Sequence, residues 1–182
     1  MARARRILVL ISVVASGAMG HAYAAGNPAC MLLSSEDVAA SIGVSAPASP
    51  AGADRIAAGP GAGKRIFHCQ WGGPRSPAAV STGLVNDVDD AQGRAALILL
   101  SGQFNQLRRV GWRDDPKDFG EIHCSSLTQP KSLHPMQFTG CTGVVRRAAL
   151  SVVIGDHLHL HTAEEAKKLF DSAVARLPGP RS

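Results

Sequence analysis

Hydrophobic and polar residues recur along the chain with two periods, and these periods predict where strands and helices lie. Short runs rich in β-branched and apolar residues predict strands at residues 65–71, 79–85, 121–127, 139–145 and 149–154. We expect the last two strands to form a hairpin. Strands that follow one another in sequence, with helices at the ends and in the middle, predict an α+β fold with a twisted antiparallel sheet.

Three helices are predicted from caps and from apolar residues three or four positions apart. A short N-terminal helix follows the N-cap Ser34 and ends at Gly43. A middle helix is expected over residues 89–110. A C-terminal helix begins after the N-cap Thr162 and ends before Pro178.

Two segments lack a regular pattern and are predicted to be loops. Residues 44–63 consist almost entirely of Ala, Pro, Gly and Ser, which offer little to pack, so a long flexible loop is expected there. The acidic stretch 114–118 is interpreted as a second loop.

The N-terminal segment has the pattern of a secretory signal peptide. Three arginines precede an uncharged apolar run at residues 7–20, and the small-residue step Ala-Tyr-Ala ends at Ala24. We therefore expect residues 1–24 to be removed and residues 25–182 to form one domain. The apolar run is shorter than a membrane-spanning helix needs, so no stable membrane span is expected after cleavage.

Charge excludes one class of partner. The chain has 19 Lys and Arg against 14 Asp and Glu, but three of the arginines lie in the predicted signal peptide, which leaves 16 basic residues. Because the remaining charge is nearly balanced and no long basic run survives, no nucleic-acid partner is predicted.

The four cysteines, Cys30, Cys69, Cys124 and Cys141, all lie after the predicted signal peptide. An exported chain meets an oxidising environment, so two disulfides are expected. Three pairings are possible. The sequential pairing, first with second and third with fourth, closes the shortest loops. No CxxC motif is present, which argues against a redox dithiol and a cysteine zinc site.

Several short motifs resemble a known group of proteins. They are Cys-x-Leu-Leu-Ser at 30–34, the helix ending at Gly43, Cys-Gln-Trp at 69–71, the strand 149–153 and Ala-Arg-Leu at 175–177. This order is similar to small exported actinobacterial lipoproteins of unknown function and to the extracytoplasmic sensor domains of mycobacterial serine/threonine kinases. The resemblance implies a disulfide-bridged antiparallel sheet with packed helices and a ligand-sensing or binding role. The chain lacks the lipid-attachment cysteine at the signal junction, so a kinase-coupled or lipid-anchored role is not inferred.

The sharpest chemical feature is the alternating segment Asp156, His157, Leu158, His159, Leu160, His161. If the last strand continues to His161, the three imidazoles lie on one face, where they and Asp156 could hold zinc or copper. The alternative is a half-buried strand whose wet face carries histidines, or a pH-responsive histidine cluster.

No catalytic motif is recognised, and no catalytic residue is assigned. The leading hypothesis is a non-enzymatic periplasmic or secreted binding module for an unidentified protein or small-molecule ligand, without a cofactor. The alternative is a periplasmic metal-binding protein that uses His157, His159 and His161.

Overall fold

The computed structural model describes residues 26–43, 45–73, 76–130 and 136–178. The predicted signal peptide, residues 1–24, lies outside these ranges. Seven strands form one antiparallel sheet in the order β1-β2-β3-β7-β6-β5-β4. The strands are β1 Ala48–Arg55, β2 Arg65–Trp71, β3 Ala78–Val85, β4 Arg113–Phe119, β5 Ile122–Thr128, β6 Gln137–Val145 and β7 Ala148–Asp156. The predicted α+β class with an antiparallel sheet is confirmed.

Four helices accompany the sheet: α1 Ser35–Ile42, α2 Asp90–Leu100, α3 Gly102–Arg109 and α4 Ala163–Ala175. The predicted caps of the first and last helices are confirmed. Ser34 forms a capping box with Asp37, and Thr162 forms one with Glu165. Each box satisfies two backbone N–H groups that a helix start leaves without partners.

The two faces of the sheet are packed differently. Helices α1 and α4 and the turn Pro28–Met31 cover one face, where Trp71, Leu150 and Phe170 belong to one continuous buried cluster. Helices α2 and α3 cover the other face, where the buried apolar residues divide into two smaller clusters. The first face therefore supplies most of the hydrophobic stabilisation.

Both disulfides have the expected sequential pairing. Cys30 is bonded to Cys69 with a Cα–Cα distance of 5.1 Å, and Cys124 is bonded to Cys141 with a Cα–Cα distance of 4.0 Å. The second disulfide joins directly opposed residues of β5 and β6. The first ties the start of the described chain to β2.

The prediction of a continuous flexible loop at 44–63 is wrong, because β1 lies within it. Residues Ala48–Arg55 pair with β2 along nearly their whole length, with an irregularity between Pro50 and Ala53. Backbone hydrogen bonds hold this edge strand, and most of its small side chains stay exposed, so it needs no apolar pattern. At the turn that follows, Ile56 is buried beneath α2.

The acidic stretch 114–118 is also a strand rather than a loop. It forms most of β4, the edge strand at the other end of the sheet, and its side chains are largely exposed. Edge strands often carry charged side chains and a proline, which prevent pairing with the edges of other chains. In β4 these are the four charged residues of the stretch 114–118 and Pro116. A strand exposed on both faces has no alternation for sequence reasoning to detect.

The predicted middle helix is present but divided. Helix α2 ends at Leu100 and α3 begins at Gly102, with Ser101 between them. Ser and Gly are weak helix formers, and such pairs are frequent sites of helix breaks. Both helices contribute buried residues to the second face of the sheet.

Candidate functional site

A polar cleft lies where the beginning of α4 approaches β4, β5 and β6. Its volume is about 410 Å³. The described residues that line it are Asp115, Pro116, Lys117, Ser126, Gln137, His161, Thr162, Ala163 and Glu164. One of the predicted site residues, His161, therefore belongs to the cleft, and Asp156 lies directly behind it.

Asp156 ends β7 and organises the chain that follows. Its Oδ1 accepts hydrogen bonds from the backbone N–H groups of Leu158, at 2.7 Å, and His159, at 3.1 Å. A carboxylate that captures the next N–H groups competes with the sheet for them and turns the chain. The expectation that the strand continues to His161 is therefore wrong, and the three histidines do not share one strand face.

His161 and Asp156 form a buried pair. The Nε2 atom of His161 lies 2.9 Å from Oδ2 of Asp156, and the two residues are 9% and 1% exposed. The other ring nitrogen of His161, Nδ1, lies 3.6 Å from a carboxylate oxygen of Glu165. Both ring nitrogens thus face carboxylates, an arrangement that favours a fixed imidazole orientation.

The backbone of His161 is held as firmly as its ring. Its N–H donates to Oε1 of the buried Gln137 at 2.5 Å, and its carbonyl accepts a hydrogen bond from the Thr139 hydroxyl at 3.1 Å. Gln137 and Thr139 both belong to β6, so the central part of the sheet positions the imidazole. The floor of the cleft is therefore preorganised.

The Asp156 carboxyl group stays ionised despite its burial. Burial alone would raise the pKa of Asp156. The N–H group of Leu158, the side chain of His161 and the N–H group of His159 stabilise the charged form and more than offset that effect, so the pKa of Asp156 lies below its ordinary value. A negative charge with hydrogen-bond donors on both of its oxygens thus lies directly behind the floor of the cleft.

His157 and His159 lie in a protruding segment rather than in the cleft. Residues 157–160 are all exposed, including Leu158 at 69% and Leu160 at 65%. The Nδ1 atom of His159 lies 3.6 Å from Oδ2 of Asp156, too far for a hydrogen bond. Within the described ranges, no three His, Cys, Asp or Glu side chains are arranged as a set of metal ligands.

The rim of the cleft carries charges of both signs. The Nζ atom of Lys117 donates a hydrogen bond to the carboxylate of Glu164, and both side chains are about half exposed. This donation holds the pKa of Glu164 below its ordinary value. Asp115, two residues before Lys117 on β4, is exposed at the same rim. Lys117 is therefore already neutralised, whereas Asp115 leaves a negative charge at the rim.

Sequence reasoning found Asp156 and His161 but not their partners. Gln137 and Thr139 are polar residues at the start of a strand, and nothing local indicates that they contact a segment more than 20 residues later. Lys117 lies in the stretch that was predicted to be a loop. The only relevant sequence signal is that Gln137 and Thr139 alternate with Phe138 at the start of β6. This alternation places the two polar side chains on the opposite face of the strand from Phe138, which packs against α3.

The neighbours of the His161 ring are acidic side chains. In the part of the chain that the structure describes, no hydroxyl or thiol is hydrogen-bonded to the His161 ring. The four cysteines are all consumed in disulfides. A nucleophile needs a base with an available nitrogen close to it, whereas both nitrogens here face acidic side chains.

The fold and the cleft define a disulfide-bridged α+β domain with a preorganised polar depression at one end of its sheet. Comparisons with protein-family models, with curated proteins and with solved structures found no match for this chain. Across the described ranges, none of the helices combines the length and the apolar character required to cross a membrane.

Proposed function

We propose that the chain is an exported, non-enzymatic binding module whose ligand occupies the cleft beside Asp156 and His161. The location proposed is the periplasm or the extracellular space. Two disulfides are compatible with an oxidising location, and the N-terminal pattern is typical of a signal peptide. The ligand is a small molecule or an exposed side chain of a protein partner, not nucleic acid.

The observation that carries this proposal is the preformed floor of the cleft. The Asp156 carboxylate, the Gln137 amide and the Thr139 hydroxyl are each hydrogen-bonded to His161, and all four residues are buried. A site whose groups are already ordered loses little conformational entropy on binding. A cleft of about 410 Å³ is within the usual size range of small-molecule sites.

The charges favour a ligand with a positive group. Lys117 is paired with Glu164, and no ion pair joins Asp115 to another residue of the described ranges, so the rim retains the negative charge of Asp115. Behind the floor, the ionised Asp156 carboxylate lies against Nε2 of His161, and a carboxylate oxygen of Glu165 lies 3.6 Å from Nδ1 of the same ring, so two further acidic groups stand close to the cleft. An amine or guanidinium group would therefore be attracted into the cleft.

Calorimetric titration of the oxidised protein with spermidine and arginine amide tests this proposal, with glutamate and phosphate as anionic probes. We expect saturable binding of at least one cationic probe. Asp115→Lys should weaken that binding by about tenfold or more, the change expected when a favourable charge contact becomes a repulsion. Asp54→Lys is the matched control, because Asp54 is an exposed aspartate on β1 at the opposite edge of the sheet.

The outcomes are distinct. Equal losses in both variants would mean that only net charge matters and would exclude the cleft as the site. Binding of the anionic probes alone would contradict the proposed ligand class.

Export is tested separately: expression of the full chain in a Gram-negative host should yield mature protein that begins at Ala25.

A second candidate function is binding of zinc or copper by His157, His159, His161 and Asp156. The observation in its favour is that Oδ2 of Asp156 has one imidazole nitrogen at 2.9 Å and another at 3.6 Å. Zinc would require donor atoms about 2.0 Å from a common point, so the exposed segment 157–160 would have to close over Asp156. Elemental analysis of untagged protein, compared with a His157→Ala and His159→Ala double variant, distinguishes the candidates; no retained metal in either protein would exclude this one.

A further inference from the structure

A second depression lies on the opposite part of the molecule, between the sheet and the junction of α2 and α3. It has a volume of about 250 Å³ and involves β1, β2, β3 and β7. The described residues that line it are Ala51, His68, Cys69, Gln70, Ser81, Thr82, Gly83, Leu99, Leu100, Gln103, Ser151 and Val153. We refer to this depression as the sheet groove.

The floor of the sheet groove is a transverse row of three residues. His68, Gly83 and Ser151 are direct neighbours on β2, β3 and β7. A Cβ atom at position 83 would lie 2.5 Å from Cδ2 of Leu100 and 2.8 Å from Oγ of Ser151. The absence of a side chain at Gly83 therefore lets Leu100 of α2 descend between two polar groups and form the wall of the groove.

Ser151 is the informative residue of this row. It is only 5% exposed, and no hydrogen bond joins its hydroxyl to another residue of the described ranges. Within those ranges, every fully enclosed side-chain nitrogen or oxygen has a hydrogen-bond partner. The Ser151 oxygen therefore reaches the open space of the groove. A hydroxyl on a buried residue that opens into a groove is available to donate a hydrogen bond to a ligand or to water and to accept one from it.

The chemistry of the sheet groove differs from that of the cleft. Its described lining includes no Asp, Glu, Lys or Arg. The polar groups are the amides of Gln70 and Gln103, the hydroxyls of Ser81 and Ser151, and the imidazole of His68. Leu99 and Leu100 add an apolar wall. Neutral donors and acceptors beside an apolar surface match a neutral molecule with several hydroxyl groups.

We propose that the sheet groove is a second binding site, for a neutral polyhydroxylated molecule the size of one sugar ring. The Ser151 hydroxyl and the amides of Gln70 and Gln103 bind ligand hydroxyl groups, and the Leu99 and Leu100 side chains contact the carbon skeleton. This site is separate from the cleft beside Asp156 and His161 and does not depend on the function proposed for it.

Titration of the oxidised protein with D-glucose, D-galactose, D-ribose and myo-inositol, followed by ¹H–¹⁵N NMR, tests this assignment. At least one of these probes should shift the amide signals of Gln70, Ser81 and Ser151. Ser151→Ala should weaken binding by about tenfold, the loss expected for one hydrogen bond to a ligand hydroxyl. Gln103→Ala should weaken it as well, whereas Gln106→Ala, the same change at an exposed position of the same helix, should not.

Charged analogues and larger sugars make the test decisive. Glucuronate and glucosamine should bind no better than glucose, because the lining offers no charge to pair with theirs. Methyl α-D-glucoside and maltose separate a free sugar from the end of a glycan, and binding of either alongside glucose supports the site. Absence of saturable binding by all the neutral probes, or binding that Ser151→Ala leaves unchanged, would overturn the proposal, whatever the result for cations in the cleft.

Discussion

The cleft and the sheet groove both contain polar side chains from buried residues, but the two sites differ in whether those side chains have hydrogen-bond partners within the protein. In the cleft, Asp156, His161 and Thr139 are bonded to one another or to the backbone. In the groove, Ser151 is similarly buried as a residue, but its hydroxyl opens into the groove and has no hydrogen-bond partner in the described ranges. The difference shows that burial alone does not reveal the role of a polar residue. Paired groups fix a surface in place, whereas unpaired groups remain available to a ligand.

A disulfide lies close to each depression, and removing either should give the largest effects. Cys69 borders the groove, and Sγ of Cys141 contacts the carbonyl of Ala163 beside the cleft. The two disulfides span 39 and 17 residues. The chain-entropy model predicts that Cys30→Ala with Cys69→Ala costs about 4 kcal/mol, and that Cys124→Ala with Cys141→Ala costs about 3 kcal/mol.

Urea unfolding of the two double variants measures both values. We expect the larger loss for the disulfide with the longer loop. A reversed order would mean that the short disulfide stabilises the native state directly, through β5 and β6, rather than by restricting the unfolded chain.

Asp156→Asn should produce the next largest effect, because it removes a buried charge from its partners. The amide oxygen of Asn can still accept from the backbone, but the charged interaction with His161 is lost, so we expect a loss of roughly 3 kcal/mol near pH 7. The exposed Asp54→Asn variant is the control and should change stability by less than about 0.5 kcal/mol.

The Asp156–His161 pair also predicts that stability depends on pH. The pKa of Asp156 is lower in the folded protein than its ordinary value of 3.8, so the ionised carboxylate makes its full contribution to the free energy of unfolding above that pH. This contribution is lost as the pH falls through the pKa that Asp156 has in the folded protein. Unfolding measured at successive pH values should show the difference between the wild type and Asp156→Asn shrinking below pH 3.8. A difference that stays constant under acidic conditions would contradict the stabilisation by an ionised Asp156 carboxylate.

Gly83→Ala should have an intermediate effect on the groove side. The added Cβ would collide with Leu100 and Ser151, so α2 must shift, and we expect a loss of about 2 kcal/mol. Gly102→Ala is the matched control, because the space around Gly102 is open and Ala is the better helix former. Thermal unfolding of the two variants compares them. Equal stabilities would mean that Leu100 does not pack tightly over the groove.

Removal of one hydroxyl from each depression should give the smallest effects and the clearest contrast. Thr139→Val removes the donor to the His161 carbonyl and should cost about 1 kcal/mol. Ser151→Ala removes a group that has no described partner, so it should be neutral or slightly stabilising. Chemical unfolding of both variants checks this. If Ser151→Ala lowers the free energy of unfolding as much as Thr139→Val does, the Ser151 hydroxyl stabilises the fold and is not held open for a ligand.

Local signals in the sequence predicted the parts of the fold that depend on local chemistry. The N-caps Ser34 and Thr162 marked the starts of their helices correctly, and runs of apolar residues located β6 and β7. The two edge strands were missed. Backbone pairing alone defines β1, and β4 is charged on both faces, so neither has the apolar pattern that sequence reasoning requires.

The candidate sites were less accessible to sequence reasoning. Alternation indicated a histidine face, but a single hydrogen-bonding carboxylate, Asp156, ends the strand first and turns His161 inward. The groove depends on the register that aligns His68, Gly83 and Ser151 across three strands. Such a row joins residues far apart in sequence, so it is recognisable only after the strand order is known.

Mapping both ligands on one ¹⁵N-labelled sample tests the division of roles most directly. Spermidine should shift amide signals around Lys117, Gln137 and Ala163, and a neutral sugar should then shift a separate set around Gln70, Gly83 and Ser151. Two independent, saturable sets of shifts are the predicted result. A protein whose spectrum responds to neither ligand, or whose two ligands displace each other from one set of residues, would contradict it.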